Sequence, residues 1–296
     1  MSEPKKITVG MVAKALPCAP LWIAQHSGMF TERNLDVSYE ALGSGDLVTE
    51  ALRDGRFEIA LTTPEGTISD RRAGGTLTII AGLTNQLPFK LIGSASHHTI
   101  ESLRGGRIGV SSINEGTIHV VKTMLARNGL NYPDDYTFDV VGTHVTRWDL
   151  LQKGEIDAGL QLTPYDHIAV DAGFPNLGDP ADYIPEFAFI VAAADQRWCE
   201  TYPDETRAFL DGLRSATDLL YNSPASVVDV VAQETDVEPR FVARCFDDLT
   251  TTGMLPRDLK ATRRALEAVA ESMTSGDASG LIATLADVVD ETYLPK

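Results

Sequence analysis

Leu52-Arg53-Asp54-Gly55-Arg56-Phe57-Glu58-Ile59-Ala60-Leu61 is followed by Thr63-Pro64, and Leu151-Gln152-Lys153-Gly154-Glu155-Ile156-Asp157-Ala158-Gly159-Leu160 is followed by Thr163-Pro164. Both stretches read Leu-x-x-Gly-x-x-acid-x-small-Leu, and their ten positions match at an offset of 99 residues. Each reads as a helix stopped by a glycine, a turn, and a short buried strand. The proline after each strand suits the first turn of a following helix, where its missing N–H is no loss. Two such joints predict two lobes built on one plan.

Outward from these joints, apolar runs alternate with helical patterns. Strands are predicted over 7–12, 35–41, 59–62, 77–83, 91–93, 107–110, 138–141, 158–161 and 187–194. Helices are predicted over 19–30, 47–54, 64–73, 117–128, 145–153, 204–222, 225–234, 239–248 and 259–273. Strands alternating with helices require crossover connections and a mostly parallel sheet. From about residue 204 the chain reads as almost wholly helical. The expected division is a first lobe over 1–90, a second over 91–195, and a return to the first lobe with C-terminal helices over 196–296.

Composition narrows the function classes. The 296 residues, 43% hydrophobic and 23% charged, exclude a disordered chain or a disulfide mini-protein. With 25 basic against 42 acidic residues the net charge is −17, which repels phosphate backbones, so no nucleic-acid partner is expected. No apolar run approaches the roughly 20 residues of a membrane span, so no membrane insertion is expected. Cys18, Cys199 and Cys245 form neither a disulfide framework nor a zinc pattern. No Walker loop, dinucleotide fingerprint or zinc-helix spacing is present, so neither cofactor nor metal is expected. Met1 to Lys6 lead straight into a strand without an apolar leader segment. The chain as it stands is therefore expected in the cytoplasm, and in the periplasm or outside the cell only if a leader has been removed.

Four blocks carry a family resemblance. Leu21-Trp22-Ile23-Ala24-Gln25-His26-Ser27-Gly28-Met29-Phe30 with Asn34-Leu35-Asp36-Val37 resembles the opening of NMT1/THI5-like and SsuA/TauA-like proteins. Gly55 to Leu61, Leu103-Arg104-Gly105-Gly106-Arg107-Ile108-Gly109-Val110 and Gly154-Glu155-Ile156-Asp157-Ala158 resemble three further blocks of that family, in the same order. The resemblance implies an α/β, two-lobed type II periplasmic-binding-protein fold with a helical C-terminal part. It further implies a ligand cleft between the lobes that closes by hinge motion. The implied function is capture of a small organic ligand, as in the substrate-binding protein of an ABC transporter with its permease as partner. The same fold also serves cytosolic enzymes: THI5-type pyrimidine synthases, aromatic decarboxylases and sulfinate desulfinases. An enzyme on this fold, a decarboxylase, desulfinase or related lyase acting on a small aromatic or heterocyclic acid, is thus the alternative. The cysteine-rich signature of the pyrimidine synthases is absent.

In open α/β sheets ligands lie outside the C-terminal ends of the strands. That rule selects Lys14, Leu16, Pro17 and Cys18 after the first strand and Gly43, Ser44, Gly45 and Asp46 after the second. Thr62, Thr63 and Glu65 follow the third, and Asn85 and Lys90 lie at the lobe crossing. The second lobe offers Ser111, Ser112, Glu115, Gly116 and Thr117, then His144 and Arg147, then Thr163, Tyr165 and Asp166. The glycine-bearing helix starts at Gly43–Gly45 and Ser112–Thr117 favour an anion. Asp46, Glu65, Glu115 and Asp166 oppose one, unless Lys14, Lys90 or Arg147 faces it; they suit an amine or heterocycle N–H, or simply cap helices. In an enzyme, Cys18 near a helix start is the candidate nucleophile, against its reading as a small core residue. His144 is then the candidate acid or base, and Arg147 the cation for a substrate carboxylate.

Overall fold

The computed structural model describes residues 3–111, 113 and 116–296. The chain forms two units, Met1–Gln86 with Phe187–Lys296, and Leu87–Glu186. The first begins β1 (Lys5–Met11), α1 (Ala19–His26), β2 (Leu35–Ala41), α2 (Gly45–Arg53), β3 (Ile59–Thr62), α3 (Pro64–Arg72) and β4 (Leu77–Gly82). The second holds β5 (Phe89–Gly93), β6 (Arg107–Val110), α4 (Gly116–Arg127), β7 (Thr137–Val140), α5 (His144–Lys153), β8 (Ala158–Leu162), α6 (Tyr165–Asp171) and β9 (Asn176–Gly178). The chain returns to the first through β10 (Val191–Asp195), α7 (Gln196–Thr201), α8 (Pro203–Asn222), α9 (Val228–Thr235), α10 (Pro239–Thr251), α11 (Arg263–Ser272) and α12 (Ser279–Val288).

Each unit holds one five-stranded sheet, in the orders β2-β1-β3-β10-β4 and β7-β6-β8-β5-β9. In the first, β1 runs parallel to β2 and β3, and β10 is inserted antiparallel between β3 and β4. In the second, β6 runs parallel to β7 and β8, and β5 is the antiparallel insert. β1 therefore corresponds to β6, β2 to β7, β3 to β8 and β4 to β9. The inserted strand enters from before the repeat in one unit and from after it in the other.

The echoed stretches make the same joint in both sheets. Gly55 at φ 73° and Gly154 at φ 68° turn the chain out of α2 and α5 in a left-handed conformation that glycine adopts without penalty. The acid of each motif then accepts a backbone N–H of the neighbouring parallel strand, β1 or β6: Glu58 Oε2 from Thr8 at 2.7 Å, and Asp157 Oδ2 from Arg107 at 2.7 Å. The residue before it packs over a glycine of that strand. A Cβ on Gly10 would lie 2.3 Å from the Phe57 ring, and one on Gly109 would lie 2.5 Å from Ile156 Cδ1. Gly10 pairs with Ala60, and Gly109 with Gly159, so small residues face each other where the side chain from the turn needs room.

The C-terminal helices pack on the first unit. Phe30 stacks on Phe209 of α8, with ring centroids 5.3 Å apart. Arg33 donates to Asp211 Oδ2 and Ser215 Oγ, both at 2.9 Å. The Thr78 hydroxyl donates to the Val288 carbonyl at 2.8 Å, holding the end of α12 against β4.

Several boundaries differ from the sequence reading. The stretch 91–195, read as the second lobe, includes Val191–Asp195, which the structure pairs inside the first sheet as β10. The expected helix 259–273 begins only at Arg263, because Leu259 takes a left-handed φ of 56° and the Thr262 side chain caps the helix by accepting Ala265 N–H at 3.1 Å. The helix expected over 19–30 stops at His26, ahead of Gly28 at φ 74°. Pro64 occupies the first turn of α3, whereas Pro164 is the N-cap residue of α6. β9, α6, α7 and α12 lie outside the expected elements, because they are short or, like α12, follow a Ser/Gly/Asp run with the pattern of a loop.

The glycine contacts set a stability test. Gly10→Ala and Gly109→Ala are each expected to cost about 1–3 kcal/mol by overpacking. Gly280→Ala, on α12 with open space around the added methyl, is expected to add up to about 1 kcal/mol. Urea denaturation of the three variants checks this.

Candidate functional site

The strand-end rim of the first unit is built by α2 and α3. Ser44 and Thr63 occupy the N-cap positions of these two nine-residue helices, yet neither side chain bonds its own helix. The helix starts lie close together: a Cβ on Gly45 would sit 3.6 Å from Thr63 Oγ1. Beside them Thr62 ends β3, its hydroxyl sealed from solvent and without a hydrogen-bond partner among the described residues. Gly43, at φ 79°, turns the chain into α2. Asp46 and Glu65 sit in the first turns of α2 and α3, where a carboxylate complements the helix dipole.

The loop after β1 departs from the expectation. Leu16, Pro17 and Cys18 form a short buried 3-10 turn rather than a rim. Burial pushes the Cys18 thiol up to about 12, so at neutral pH it is a packed apolar group, not a thiolate nucleophile. Lys14 does not point a spare charge at a ligand. Its ammonium donates to Glu234 Oε2 at 2.9 Å, and this bond chiefly raises its pKa. Glu234, at the end of α9, also accepts the Tyr39 hydroxyl at 2.5 Å and lies 3.0 Å from His26 Nε2. Burial opposes the Glu234 charge, but the bonds from Tyr39, His26 and Lys14 outweigh it and bring the carboxyl down to about 2. Asn85 is also structural: its amide donates to the Lys260 carbonyl at 2.8 Å and accepts Thr262 N–H at 3.1 Å.

In the second unit Arg147 is the organising residue. Its guanidinium is buried and donates to the Leu160 carbonyl of β8 at 3.0 Å, to the Gly142 carbonyl at 3.1 Å and to Ser111 Oγ at 3.2 Å. It thereby ties the loops after β6 and β7 to β8, which makes it a positioning residue for the rim. His144, at the start of α5, packs edge-on against Tyr165 at 5.0 Å between ring centroids. Burial, assisted by the Arg147 charge, lowers the His144 pKa to about 4. The imidazole is neutral at pH 7 and is no imidazolium acid, which corrects the acid half of its expected acid-or-base role. Lys90 of β5 pairs with Asp166 of α6 at 3.5 Å. Thr163 is buried at the end of β8, while Gly116 and Thr117 open α4. Ser112 and Glu115 lie outside the described residues.

Some rim residues carry no sequence signal read above. Leu47, Val145 and Ile113 are 49%, 49% and 62% exposed, and all lie at or just before the first turn of a helix that follows a strand. An apolar residue one or two places after a helix start, off the buried face, is the signal that finds Leu47 and Val145. Among the described residues no group of three or more His, Cys, Asp and Glu is placed to hold a metal ion, and no helix is long and apolar enough to cross a membrane.

A family profile described as NMT1/THI5 like matches residues 17–227. The chain belongs to the NMT1/THI5-like family. One curated relative is the 4-amino-5-hydroxymethyl-2-methylpyrimidine phosphate synthase THI13 of Saccharomyces cerevisiae, 24% identical over 222 residues. That match covers 69% of this chain and 64% of the relative's own length. Among solved structures, the alkanesulfonate-binding protein SsuA of Xanthomonas axonopodis superimposes with a TM-score of 0.74 at 16% identity, covering 98% of this chain and 99% of that one. The periplasmic nitrate-binding protein NrtA of Synechocystis gives a TM-score of 0.74 at 12% identity, covering 98% and 87%. This NMT1/THI5-like chain therefore has the type II periplasmic-binding-protein fold.

The two perturbed groups make separate pH signatures. His144 is lowered on folding, so its contribution is complete above its unfolded pKa of about 6.5 and is lost as pH falls toward 4. Glu234 contributes above about 4.5 and loses its share as pH falls toward 2. Replacing His144 by Gln is expected to flatten the stability profile between pH 6.5 and 4 by roughly 3 kcal/mol and leave the lower window unchanged. Denaturant titrations across pH 2–8 measure both windows.

Proposed function

We propose that this protein captures a small organic molecule through an oxyanion, such as a sulfonate, carboxylate or phosphate, as the substrate-binding component of an ABC-type import system. The observation that carries this reading is three hydroxyls, two at the adjacent starts of α2 and α3 and one at the end of β3. Ser44 and Thr63 leave their own helices uncapped, and Thr62 is buried without a partner among the described residues. Helix starts left uncapped by their side chains, and hydroxyls with no partner among the described residues, are the donors an oxyanion needs. A buried hydroxyl without a partner costs about 1–3 kcal/mol, which a bound anion recovers. The ligand-binding proteins of this fold support the reading, since SsuA is an alkanesulfonate-binding protein and NrtA a nitrate-binding protein. Leu47 at the same rim supplies apolar surface for an organic tail. A permease is the partner this reading implies.

A second reading, a cytoplasmic enzyme, is favoured by the curated relatives, which are pyrimidine phosphate synthases. The buried Cys18 and neutral His144 remove the nucleophile and the acid that a lyase mechanism would have drawn from those positions.

Thermal-shift and native mass measurements on the full chain test the proposal, using alkanesulfonates, aryl carboxylates, sulfinates and organic phosphates. An oxyanion is expected to raise Tm by several degrees and to return with unchanged mass. Thr62→Val is expected to weaken it about 5–10-fold while leaving the ligand-free Tm equal or higher, because the isosteric change removes an unsatisfied group. Equal affinity in wild type and Thr62→Val would overturn the anion site. A ligand consumed over time would favour the enzyme.

A further inference from the structure

We propose that Gly66 of α3 is a positioning residue of the oxyanion site: by leaving room for Thr49 of α2, it brings the starts of α2 and α3 close enough to hold one anion between them. The inference rests on the oxyanion reading above and adds the contact that shapes that site.

α2 and α3 meet through two glycine–threonine contacts. At the helix starts, a Cβ on Gly45 of α2 would sit 3.6 Å from Oγ1 of Thr63, the N-cap residue of α3. About one turn further along the roles are exchanged. A Cβ on Gly66 of α3 would lie 2.1 Å from Thr49 Oγ1 of α2, and 3.0 Å from both Thr49 Cβ and Thr49 Cγ2. Turning the Thr49 side chain leaves its Cβ in place, and the residue is buried, with no solvent to swing into. A glycine in a helix is less favourable than an alanine, so what Gly66 supplies is the close approach.

The groups around this contact are those an anion would use. Pro64 carries no N–H, so Gly66 is one of the few residues whose N–H the start of α3 can offer. Thr62 and Thr67 flank the contact in the chain, both 1% exposed, with hydroxyls that have no partner among the described residues. Bringing the 2.1 Å approach of an added methyl out to an ordinary contact of about 3.4 Å would part the helices by about 1 Å. Binding groups must be held within about 0.5 Å of their working positions, so an anion kept by one helix start would lose the other.

Isothermal titration of the full chain with methanesulfonate, benzoate and phenyl phosphate tests this. Wild type is expected to bind at least one of them, and Gly66→Ala to weaken that probe at least tenfold. Adding Thr49→Ala, which takes the hydroxyl and methyl out of the contact, is expected to bring the affinity back within threefold of wild type. Ser44→Ala and Thr63→Ala report the convergence of the two starts. Each is expected to weaken the probe in wild type, and only one of them in the Gly66→Ala background, because the anion then stays with one helix. A merely structural role would lower Tm without moving these ratios. Gly280→Ala on α12 is the control, with affinity unchanged. If Gly66→Ala does not fold, Thr49→Ile presses on the same contact from α2, with the same loss expected. Affinity within twofold of wild type in either variant, or a loss that Thr49→Ala does not relieve, overturns the inference and leaves the oxyanion reading standing. If wild type binds none of the three probes, that reading falls and the inference with it.

Discussion

The contact on which the rest of this structure depends is the one between the turn after α2 or α5 and the neighbouring parallel strand, β1 in the first sheet and β6 in the second. A carboxylate from the turn takes a strand N–H, Glu58 from Thr8 and Asp157 from Arg107. A bulky neighbour, Phe57 or Ile156, fills the space above a glycine in that strand. These bonds set the register of the turn against the strand, and hence where β3 and β8 end. The groups proposed for binding in the first unit sit at or beside such an end. Thr62 and Thr63 close β3, while Thr163 and Asp166 follow β8.

Around that joint the two units have spent their polar groups differently. In the first, the cation expected to face a ligand is already committed: Glu234 holds Lys14, with Tyr39 and His26. The rim there carries hydroxyls and helix starts, with Asp46 and Glu65 in the first turns. In the second, Arg147 is spent on carbonyls and a hydroxyl, bracing three segments, while Lys90 and Asp166 face each other at a loose distance. A thiol at about 12 and an imidazole at about 4 are both in their neutral forms at pH 7.

The comparisons place the chain between two kinds of relative. Sequence similarity leads to pyrimidine phosphate synthases, and structural similarity leads to binding proteins for sulfonate and nitrate. The fold accommodates both because its framework, a repeated α/β unit with an exchanged strand, is independent of the residues at the strand ends.

The amino-acid sequence by itself determined the repeat. The Gly-x-x-acid spacing, the two left-handed glycines and the alternation of strands with helices are local features, and each acts on residues within a few positions. The strand-end rule put Ser44, Thr62, Thr63 and Asp166 at strand ends or helix starts, where the structure has them, whereas Lys90, read as part of the lobe crossing, lies inside β5. Only the tertiary structure decided which candidates were already engaged. Lys14 meets Glu234 across 220 residues of sequence, and Asn85 meets Lys260 across 175. Cys18 and His144 owe their protonation states to burial by distant elements. Hydrogen bonding and desolvation between remote segments leave no periodicity in a chain, so those decisions are made only when it folds.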